Sequence, residues 1–219
     1  MLSHRVFNMI IFDLILFKFM QLSKEKIKNI LIKMLPDLTK KDIDSFIKIT
    51  NYEIIGAKEI IIKRGNRSKK AFLIIEGTVR GYFISETGKE KNILLRGKGF
   101  LIGDARKLFN NEYQRYTYEA IPETHVLFFN YPDLEALASK NLTIMRWLSN
   151  IFKEIIIFQN YRIETMITMP AKDRYIDLIK KNPTFLEKTY AKYIADFLGI
   201  TPVSLSRIIK EIKKENNPS

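Results

Sequence analysis

Apolar side chains recur at intervals of three and four residues between Ser23 and Thr50, which predicts amphipathic helices. Pro36 interrupts this pattern, and Thr39 is suited to cap a second helix, so we expect two short helices here. From Tyr52 to Phe129 the pattern changes to short β-branched runs separated by glycine-containing turns. These runs are Ile60–Ile62, Phe72–Ile75, Val79–Ile84, Ile93–Leu95 and His125–Phe129. Strands of this length and spacing predict a small antiparallel roll or barrel.

Helical periodicity returns after Pro132 and lasts to about Met169, which predicts a helix of about 30 residues, roughly 45 Å long. Five apolar residues within it step by four, three, four and three: Ile144, Leu148, Ile151, Ile155 and Phe158. Heptad spacing of this kind favours contact with a second copy of the helix. The alternative is a helix that packs on its own barrel. Pro170 then opens a further helix to about Lys181 and marks a hinge between domains.

The segment from Thr189 to Lys210 predicts two helices joined by a tight turn. Ala195 is small enough for the helices to cross closely, and Gly199 can adopt the turn conformation. Thr201 can cap the second helix, with Pro202 at its first position. The shared core is expected to consist of four apolar residues, Ile194, Leu198, Leu205 and Ile208.

The second of these helices is predicted to turn a polar and basic face outward. The residues on or beside this face are Thr201, Pro202, Val203, Ser204, Ser206, Arg207 and Lys210. An arginine can bond guanine with two hydrogen bonds, while hydroxyls and a lysine can hold phosphates, so the face suits the DNA major groove. The alternative is a helical hairpin whose basic face is merely solvated.

Composition narrows the possible functions. A formal charge of +13 favours a polyanionic partner. The chain has no cysteine, which excludes disulfides, cysteine-ligated zinc or iron–sulfur clusters and thiol catalysis. The two histidines, His4 and His125, are interpreted as structural, so no haem is expected. We find no nucleophile–base pair, metal-ligand cluster or phosphate-binding glycine loop, and therefore do not expect an enzyme.

Three strings of residues resemble the Crp/Fnr family of bacterial transcriptional regulators. They are Ile-Ala-x-x-Leu-Gly-Ile-Thr-Pro-x-x-Leu-Ser-Arg from Ile194 to Arg207, Glu76-Gly77-Thr-Val, and Gly99-Phe-Leu-Ile-Gly103-Asp104. The resemblance implies an α+β protein: a cyclic-nucleotide-binding-like antiparallel β-roll, a long dimerisation helix and a C-terminal helix-turn-helix domain. We accordingly expect an N-terminal extension at 1–22, a roll that senses an effector at 23–132, the dimerisation helix at 133–169 and the DNA-binding domain at 170–219.

The resemblance weakens around the effector pocket, for which the candidate residues are Gly103, Asp104, Gln114 and Arg115. Family members that bind cyclic AMP carry a Gly-Glu pair and, about eleven residues later, an arginine followed by a small hydroxyl residue. Here the pair is Gly103-Asp104, the eleventh residue is Gln114, and Arg115 comes one position late, before Tyr116. A slip of one residue can turn a side chain to the opposite face of a strand, although a one-residue loop insertion would restore it. Cyclic-nucleotide binding is therefore not favoured.

The recognition helix also departs from the family pattern. Pro202 and Val203 stand where the family's cyclic-AMP receptor has Arg-Glu, so a different base preference is expected. The sequence after Lys214 is also too short for the β-hairpin wing of most members.

These features predict a homodimer that binds double-stranded DNA and responds to an unidentified small-molecule effector. RNA polymerase is a further candidate partner. The alternative is a ligand-sensing module that binds protein rather than specific DNA. The apolar run Phe7–Met20 is too short for a membrane span. It is interpreted as an early start codon, an added helix or, less favoured, a signal or anchor, and we expect a cytoplasmic protein without membrane contact.

Overall fold

The computed structural model describes residues 22–181 and 189–216. The expected N-terminal extension lies outside these residues apart from Leu22. The helices are α1 (Lys24–Met34), α2 (Lys40–Lys48), α3 (Ala105–Asn110), α4 (Tyr131–Ala138), α5 (Leu142–Thr168), α6 (Ala171–Lys181), α7 (Ala191–Phe197) and α8 (Pro202–Asn216). The strands are β1 (Asn51–Ile55), β2 (Ile60–Ile62), β3 (Lys70–Glu76), β4 (Thr78–Ile84), β5 (Glu90–Gly97), β6 (Leu101–Ile102), β7 (Thr117–Ala120) and β8 (Thr124–Asn130).

The two short N-terminal helices are confirmed, and their ends have local causes. The Ser23 hydroxyl accepts a hydrogen bond from the Lys26 N–H at 3.3 Å and begins α1. Thr39 begins α2 through a reciprocal capping box with Asp42. These caps satisfy N–H groups that a helix leaves without internal partners. Both helices bury an apolar face on the roll.

The eight strands form two four-stranded antiparallel sheets, which confirms the predicted roll. Their orders are β1-β8-β3-β6 and β2-β7-β4-β5. Side chains from both sheets meet in an interior that includes Phe72, Tyr118 and Phe128. On the outer face of the first sheet, a second core joins β3 and β8 to α1, α2, α4 and α5. Strands β1, β6 and β7 went unpredicted because they are short or interrupt their apolar residues with polar ones, as Glu119 does in β7.

The helix predicted over 133–169 is two helices. The first starts at Tyr131, and Ser139–Asn141 separates it from α5. The break has a chemical cause, because the Asn141 Oδ1 accepts hydrogen bonds from the N–H groups of Thr143 and Ile144 at 3.0 and 3.1 Å. An asparagine at this position caps a new helix rather than continuing the old one.

The predicted apolar seam of α5 also requires correction. Ile144 and Leu148, exposed at 0% and 4%, are buried in the core between the roll and the helices of the same chain. Ile151 is partly buried on that core, and Phe158 packs against the cluster between the roll and α7. Four of the five residues therefore pack largely within their own chain, which was the alternative considered for this helix; Ile155 is 38% exposed.

The last three helices form a compact unit. Tyr175 of α6 packs with Ile194, Ala195 and Leu198 of the α7 region and with Leu205 of α8. Met169 is in an extended conformation (φ −98°, ψ 136°), as expected for a residue that precedes proline, and it separates α5 from α6. This unit carries the candidate DNA-binding surface.

Candidate nucleic-acid interface

The turn between α7 and α8 has the geometry that its residues predict. Gly199 has φ +71°, a conformation that side chains disfavour. The Thr201 hydroxyl oxygen accepts a hydrogen bond from the Ser204 N–H at 3.0 Å and caps α8, which begins at Pro202. Ala195 is fully buried at the helix crossing. The turn thus fixes the direction in which α8 leaves the unit.

The outward face of α8 is open to solvent. Val203 is 61% exposed, and Thr201, Pro202, Ser206, Arg207 and Lys210 are exposed as well. Ser204 is half-buried, and its hydroxyl lies 2.9 Å from that of Thr201. On the opposite face, Leu205 is buried and Ile208, Ile209 and Ile212 are partly buried in the core of the unit. Every predicted DNA-contact residue except Ser204 therefore lies on an accessible surface.

The two acidic residues of α8 are both paired with a lysine of α6. Glu211 and Glu215 both bind the Lys172 ammonium group of α6, at 2.9 and 2.6 Å. The hydrogen bonds that Lys172 donates to these carboxylates raise its pKa. Within the described part of the chain, Arg207 and Lys210 form no ion pair. The result is one face of α8 with unneutralised positive charge and another whose acidic groups are paired.

The helix α7 docks on the roll, and beside this contact Thr201 and Pro202 line a cavity of about 310 Å³ together with roll residues. Tyr193 and Phe197 pack with Leu95 and Ile121 in a buried cluster between the two domains. Beside it, the Asp196 carboxylate accepts a hydrogen bond from the Asn92 N–H on β5. These contacts set the orientation of the helix-turn-helix unit in this structure.

A buried arginine lies at the centre of the docking contact. Arg80 forms two hydrogen bonds with the Glu119 carboxylate, at 2.9 and 2.7 Å, and a third with Glu90 at 2.6 Å. Its guanidinium carbon is 4.1 Å from the ring centroids of both Tyr82 and Tyr193. Burial works against the charge of Arg80, but the two carboxylates outweigh it and raise the pKa of the guanidinium.

The four candidate effector residues lie near one another, but most of them serve the fold. Asp104 is 2% exposed, and its carboxylate accepts hydrogen bonds from the N–H groups of Arg106 and Arg115, at 3.0 and 2.6 Å. Gln114 is buried, and its amide donates to the Tyr116 carbonyl. A Cβ atom at Gly103 would meet the Leu108 side chain at 2.6 Å, so a larger residue requires Leu108 to shift.

Gln114 and Arg115 point in different directions. Gln114 is turned inward, whereas the Arg115 side chain is exposed. The interior beyond Gln114 is filled by aromatic rings, since the Phe72 centroid lies 6.0 Å from that of Tyr118 and 5.6 Å from that of Phe128. Burial raises the pKa of the Tyr118 hydroxyl well above its ordinary value. An open cavity of about 500 Å³ lies on the outer side, lined in part by Arg64, Arg106 and Arg115.

Comparison with known proteins supports the description of the roll and of the overall fold. The model of the cyclic nucleotide-binding domain matches residues 53–141. FixK2 from Bradyrhizobium japonicum is 16% identical, with a TM-score of 0.66, and the match covers 77% of this chain and 86% of that one. The c-di-GMP-responsive regulator CLP of Xanthomonas campestris is 12% identical, with a TM-score of 0.64 and coverage of 81% and 93%. A protein of the Crp/Fnr family from Eubacterium rectale is 16% identical, with a TM-score of 0.62 and coverage of 83% and 87%.

The chain has the Crp/Fnr fold. This confirms the resemblance found in the sequence and the predicted order of roll, long helix and C-terminal helices. No curated protein sequence matches the chain. The assignment of the fold therefore depends on the shared structure and on the domain model.

Several residues that shape this fold were not identified from the sequence. Arg80, Glu119, Tyr193 and Asp196 join the roll to α7 through contacts between residues up to about a hundred positions apart. The available signal was a charged residue in each of two strands, Arg80 in β4 and Glu119 in β7. Charged residues are rarely buried unless they are paired, so these two could have been matched.

The sequence predicts a structural role for His125, and its imidazole contacts two neighbouring side chains. Its Nδ1 lies 2.6 Å from the Tyr52 hydroxyl, and its Nε2 lies 3.3 Å from a Glu123 oxygen. In the described ranges, no group of three or more histidine, aspartate or glutamate residues could hold a metal ion. Nor does any helix there have the length and apolar character needed to cross a membrane.

Proposed function

We propose that this protein is a sequence-specific DNA-binding transcriptional regulator of the Crp/Fnr type that acts as a homodimer without catalysis. The observation that carries the proposal is the outward face of α8. Arg207 and Lys210 stand there exposed and without acidic partners, next to the hydroxyl of Ser206. Unneutralised cations beside exposed hydroxyls match the phosphates and base edges of a major groove.

Each residue of this face has a role in the proposed complex. Arg207 bonds guanine, Lys210 neutralises a phosphate, and Val203 offers an apolar contact for a thymine methyl group. Thr201, Pro202 and Ser204 lie at the start of α8, the end that enters the groove in helix-turn-helix proteins. In a dimer, two such helices would read half-sites about 34 Å apart.

The test of DNA binding begins with the selection of a cognate duplex from random sequence. We expect Arg207→Ala to weaken binding to that duplex by about 1–3 kcal/mol, roughly 5- to 150-fold, and to relax the preference at one base pair. Fluorescence anisotropy measured at several salt concentrations gives the affinity and the number of released counterions. Arg67→Ala, which removes an exposed arginine of the roll, serves as the matched control and should leave the affinity unchanged. Unchanged binding by the Arg207 variant would refute the role of α8.

The proposed dimer contact uses a different face of α5 from the predicted seam. The proposed stripe is shifted by one residue, which corresponds to about 100° around a helix of 3.6 residues per turn. It consists of Met145, Ser149, Phe152, Ile156, Gln159 and Ile163, which step by four and three. Ser149 and Phe152 are partly buried, and Phe152 packs on the core of its own chain. Met145, Ile156 and Ile163 are 42%, 59% and 58% exposed. Apolar residues at heptad positions on an open face favour pairing with a second copy.

Ile156→Glu tests this contact. In a two-fold dimer the substitution occurs twice and sets two carboxylates in the apolar contact, so we expect the dissociation constant of the dimer to rise about 100-fold or more. Sedimentation equilibrium measures the change. Glu154→Gln alters an exposed residue on the opposite face of α5 and should leave the dimer intact. A monomeric wild-type protein, or an unaffected Ile156 variant, would contradict the assignment.

The effector remains unidentified in this proposal. Because Asp104 and Gln114 use their polar groups within the protein, and Arg115 points outward, we do not propose a cyclic nucleotide inside the roll. The open cavity at Arg64, Arg106 and Arg115 is the proposed site in the roll. Native mass spectrometry after gentle purification tests this, and a retained cyclic nucleotide would overturn it.

We further propose that the chain divides into the roll at 23–132, the helical connection at 133–169 and the DNA-binding domain at 170–219. DNA as the partner places the protein in the cytoplasm of a bacterium, with RNA polymerase as a second candidate partner.

A further inference from the structure

A second cleft lies away from the roll cavity, between the roll and the helix-turn-helix unit. It is bounded by the end of β5, the C-terminal half of α5, and helices α6 and α7. It has two arms, of about 210 and 60 Å³, with shared walls. The shared residues are Phe158, Leu178, Lys181 and Phe197.

Two arginines face this cleft without a carboxylate partner. Arg96 lines the larger arm and Arg162 the smaller one. Among the described residues, neither forms an ion pair. The nearby carboxylates bind other groups: Asp196 binds the Asn92 N–H and Lys91, and Asp177 binds Lys181. The cleft therefore contains two arginines without an ion-pair partner in a largely apolar setting, and Asp196 compensates the charge of Arg162 only from a distance.

The hydrogen-bonding capacity of these arginines is also only partly used. The Arg162 Nη2 donates to the Phe197 carbonyl at 3.0 Å, but its Nη1 is buried without a partner. The Arg174 Nε, in the same arm, is buried without a partner as well. Buried nitrogen donors normally have a hydrogen-bond partner. Two such donors beside one cavity are therefore available to a ligand that accepts hydrogen bonds.

The aromatic walls of the cleft indicate the chemistry of the rest of the ligand. The guanidinium carbon of Arg96 lies 3.5 Å from the Phe158 ring centroid, and that of Arg162 lies 3.7 Å from the Phe197 centroid. Both guanidinium groups thus lie directly against aromatic rings. Burial lowers the pKa of Arg96 to about 10, and the charge of Arg162 lowers it as well. An anion between the two would relieve this repulsion.

We propose that this cleft binds a small organic anion, whose charged group contacts Arg96 and Arg162 and whose apolar body packs on Phe158 and Phe197. Such a ligand contacts the roll, α5 and α7 at once, and so favours the docked position of the helix-turn-helix unit. This regulatory consequence rests on the proposed DNA binding, whereas ligand binding itself is measurable without DNA. The two proposals can therefore fail separately.

Calorimetric titration of the full-length protein tests the site with four probes: phenylacetate, phenyl phosphate, the neutral phenylacetamide and inorganic sulfate. We expect at least one of the organic anions to bind once per chain, and at least about tenfold more tightly than the amide or sulfate. Arg96→Gln and Arg162→Gln should each weaken that binding about tenfold or more. Arg146→Gln, an exposed arginine of α5, should leave it unchanged. A relative preference for the carboxylate or the phosphate identifies the anionic group.

Three outcomes would overturn the proposal: binding of neither organic anion at about 10 mM, equal binding of amide or sulfate, or indifference to both cleft arginines. Arg162 also donates a hydrogen bond to the Phe197 carbonyl, so its substitution can weaken the docking of α7 on the roll. A crystal of the wild-type protein with 4-bromophenylacetate removes that ambiguity. The anomalous signal of bromine should lie in the cleft, and a signal found only elsewhere would refute the site.

Discussion

The contact between the roll and the helix-turn-helix unit differs from the outer face of that unit in how its charges are compensated. On the docking side, Arg80 is buried and its guanidinium is bound by Glu119 and Glu90. On the outer side, Arg207 and Lys210 are exposed and have no acidic partner in the described residues. A buried charge must be paired to be tolerated, whereas an exposed one can remain available for a ligand. Pairing thus separates the surface that holds this protein together from the surface proposed to bind DNA.

The largest effect is expected when the buried pair is broken. Glu119→Ala leaves Arg80 buried with only Glu90 as an acidic partner, and should lower the free energy of unfolding by about 3–5 kcal/mol. Urea denaturation measures the loss. Glu86→Ala removes an exposed carboxylate from the turn between β4 and β5 and should change stability little. A loss below about 1 kcal/mol for Glu119→Ala would show that the buried pair contributes little to the stability of the fold.

An intermediate effect is expected at the edge of the docking contact. Asp196→Ala removes the acceptor of the Asn92 N–H, a hydrogen bond to a charged group worth roughly 1.5–3 kcal/mol. We expect the Asn92 amide to exchange its hydrogen at least about tenfold faster, because the docked state protects it. Exchange followed by nuclear magnetic resonance reports this single site. Asp173→Ala, an exposed carboxylate of α6, should have no influence on it, and unchanged exchange in the Asp196 variant would argue against docking through α7.

The smallest effect is expected at the start of α5, where Asn141 contacts Asp42 of α2. The Asp42 carboxylate accepts hydrogen bonds from the Thr39 hydroxyl at 2.7 Å and from the Asn141 amide at 2.6 Å. The Thr39 hydroxyl is the largest cause of the lowered pKa of Asp42; burial opposes it, and Asn141 adds to it. A carboxyl whose folded pKa lies below its unfolded value stabilises the fold above that value, and this contribution is lost as the pH falls.

Asp42→Asn tests this contribution. The wild type should lose more stability than the variant as the pH falls from about 5 to about 3, through the ordinary pKa of 3.8. Chemical denaturation at a series of pH values measures the difference. Parallel curves for the two proteins would show that Asp42 is not linked to folding through its charge.

Local patterns were sufficient wherever the cause of a structure lies within a few residues. Thr39 and Thr201 as caps, Gly199 in the turn and Pro202 at the start of α8 follow from backbone chemistry. Strand β7 was missed because Glu119 interrupts its apolar residues, and only the distant Arg80 explains why a glutamate is buried there. The break at Asn141 was missed because the apolar periodicity continues across it. Its cause is the Asn141 side chain, which accepts a hydrogen bond from the Thr143 N–H and begins a new helix.

The sequence by itself determined the order of the roll, the long helix and the helix-turn-helix, together with the outward face of α8. These depend on periodicity, turn residues and caps, which act over short distances along the chain. Only the tertiary structure decided which side of α5 is occupied by the chain itself, which partner neutralises each buried charge, and where Arg96 and Arg162 meet. The physical reason is that heptad spacing specifies an apolar stripe but not its neighbour, and that compensation of a charge depends on residues that folding brings together.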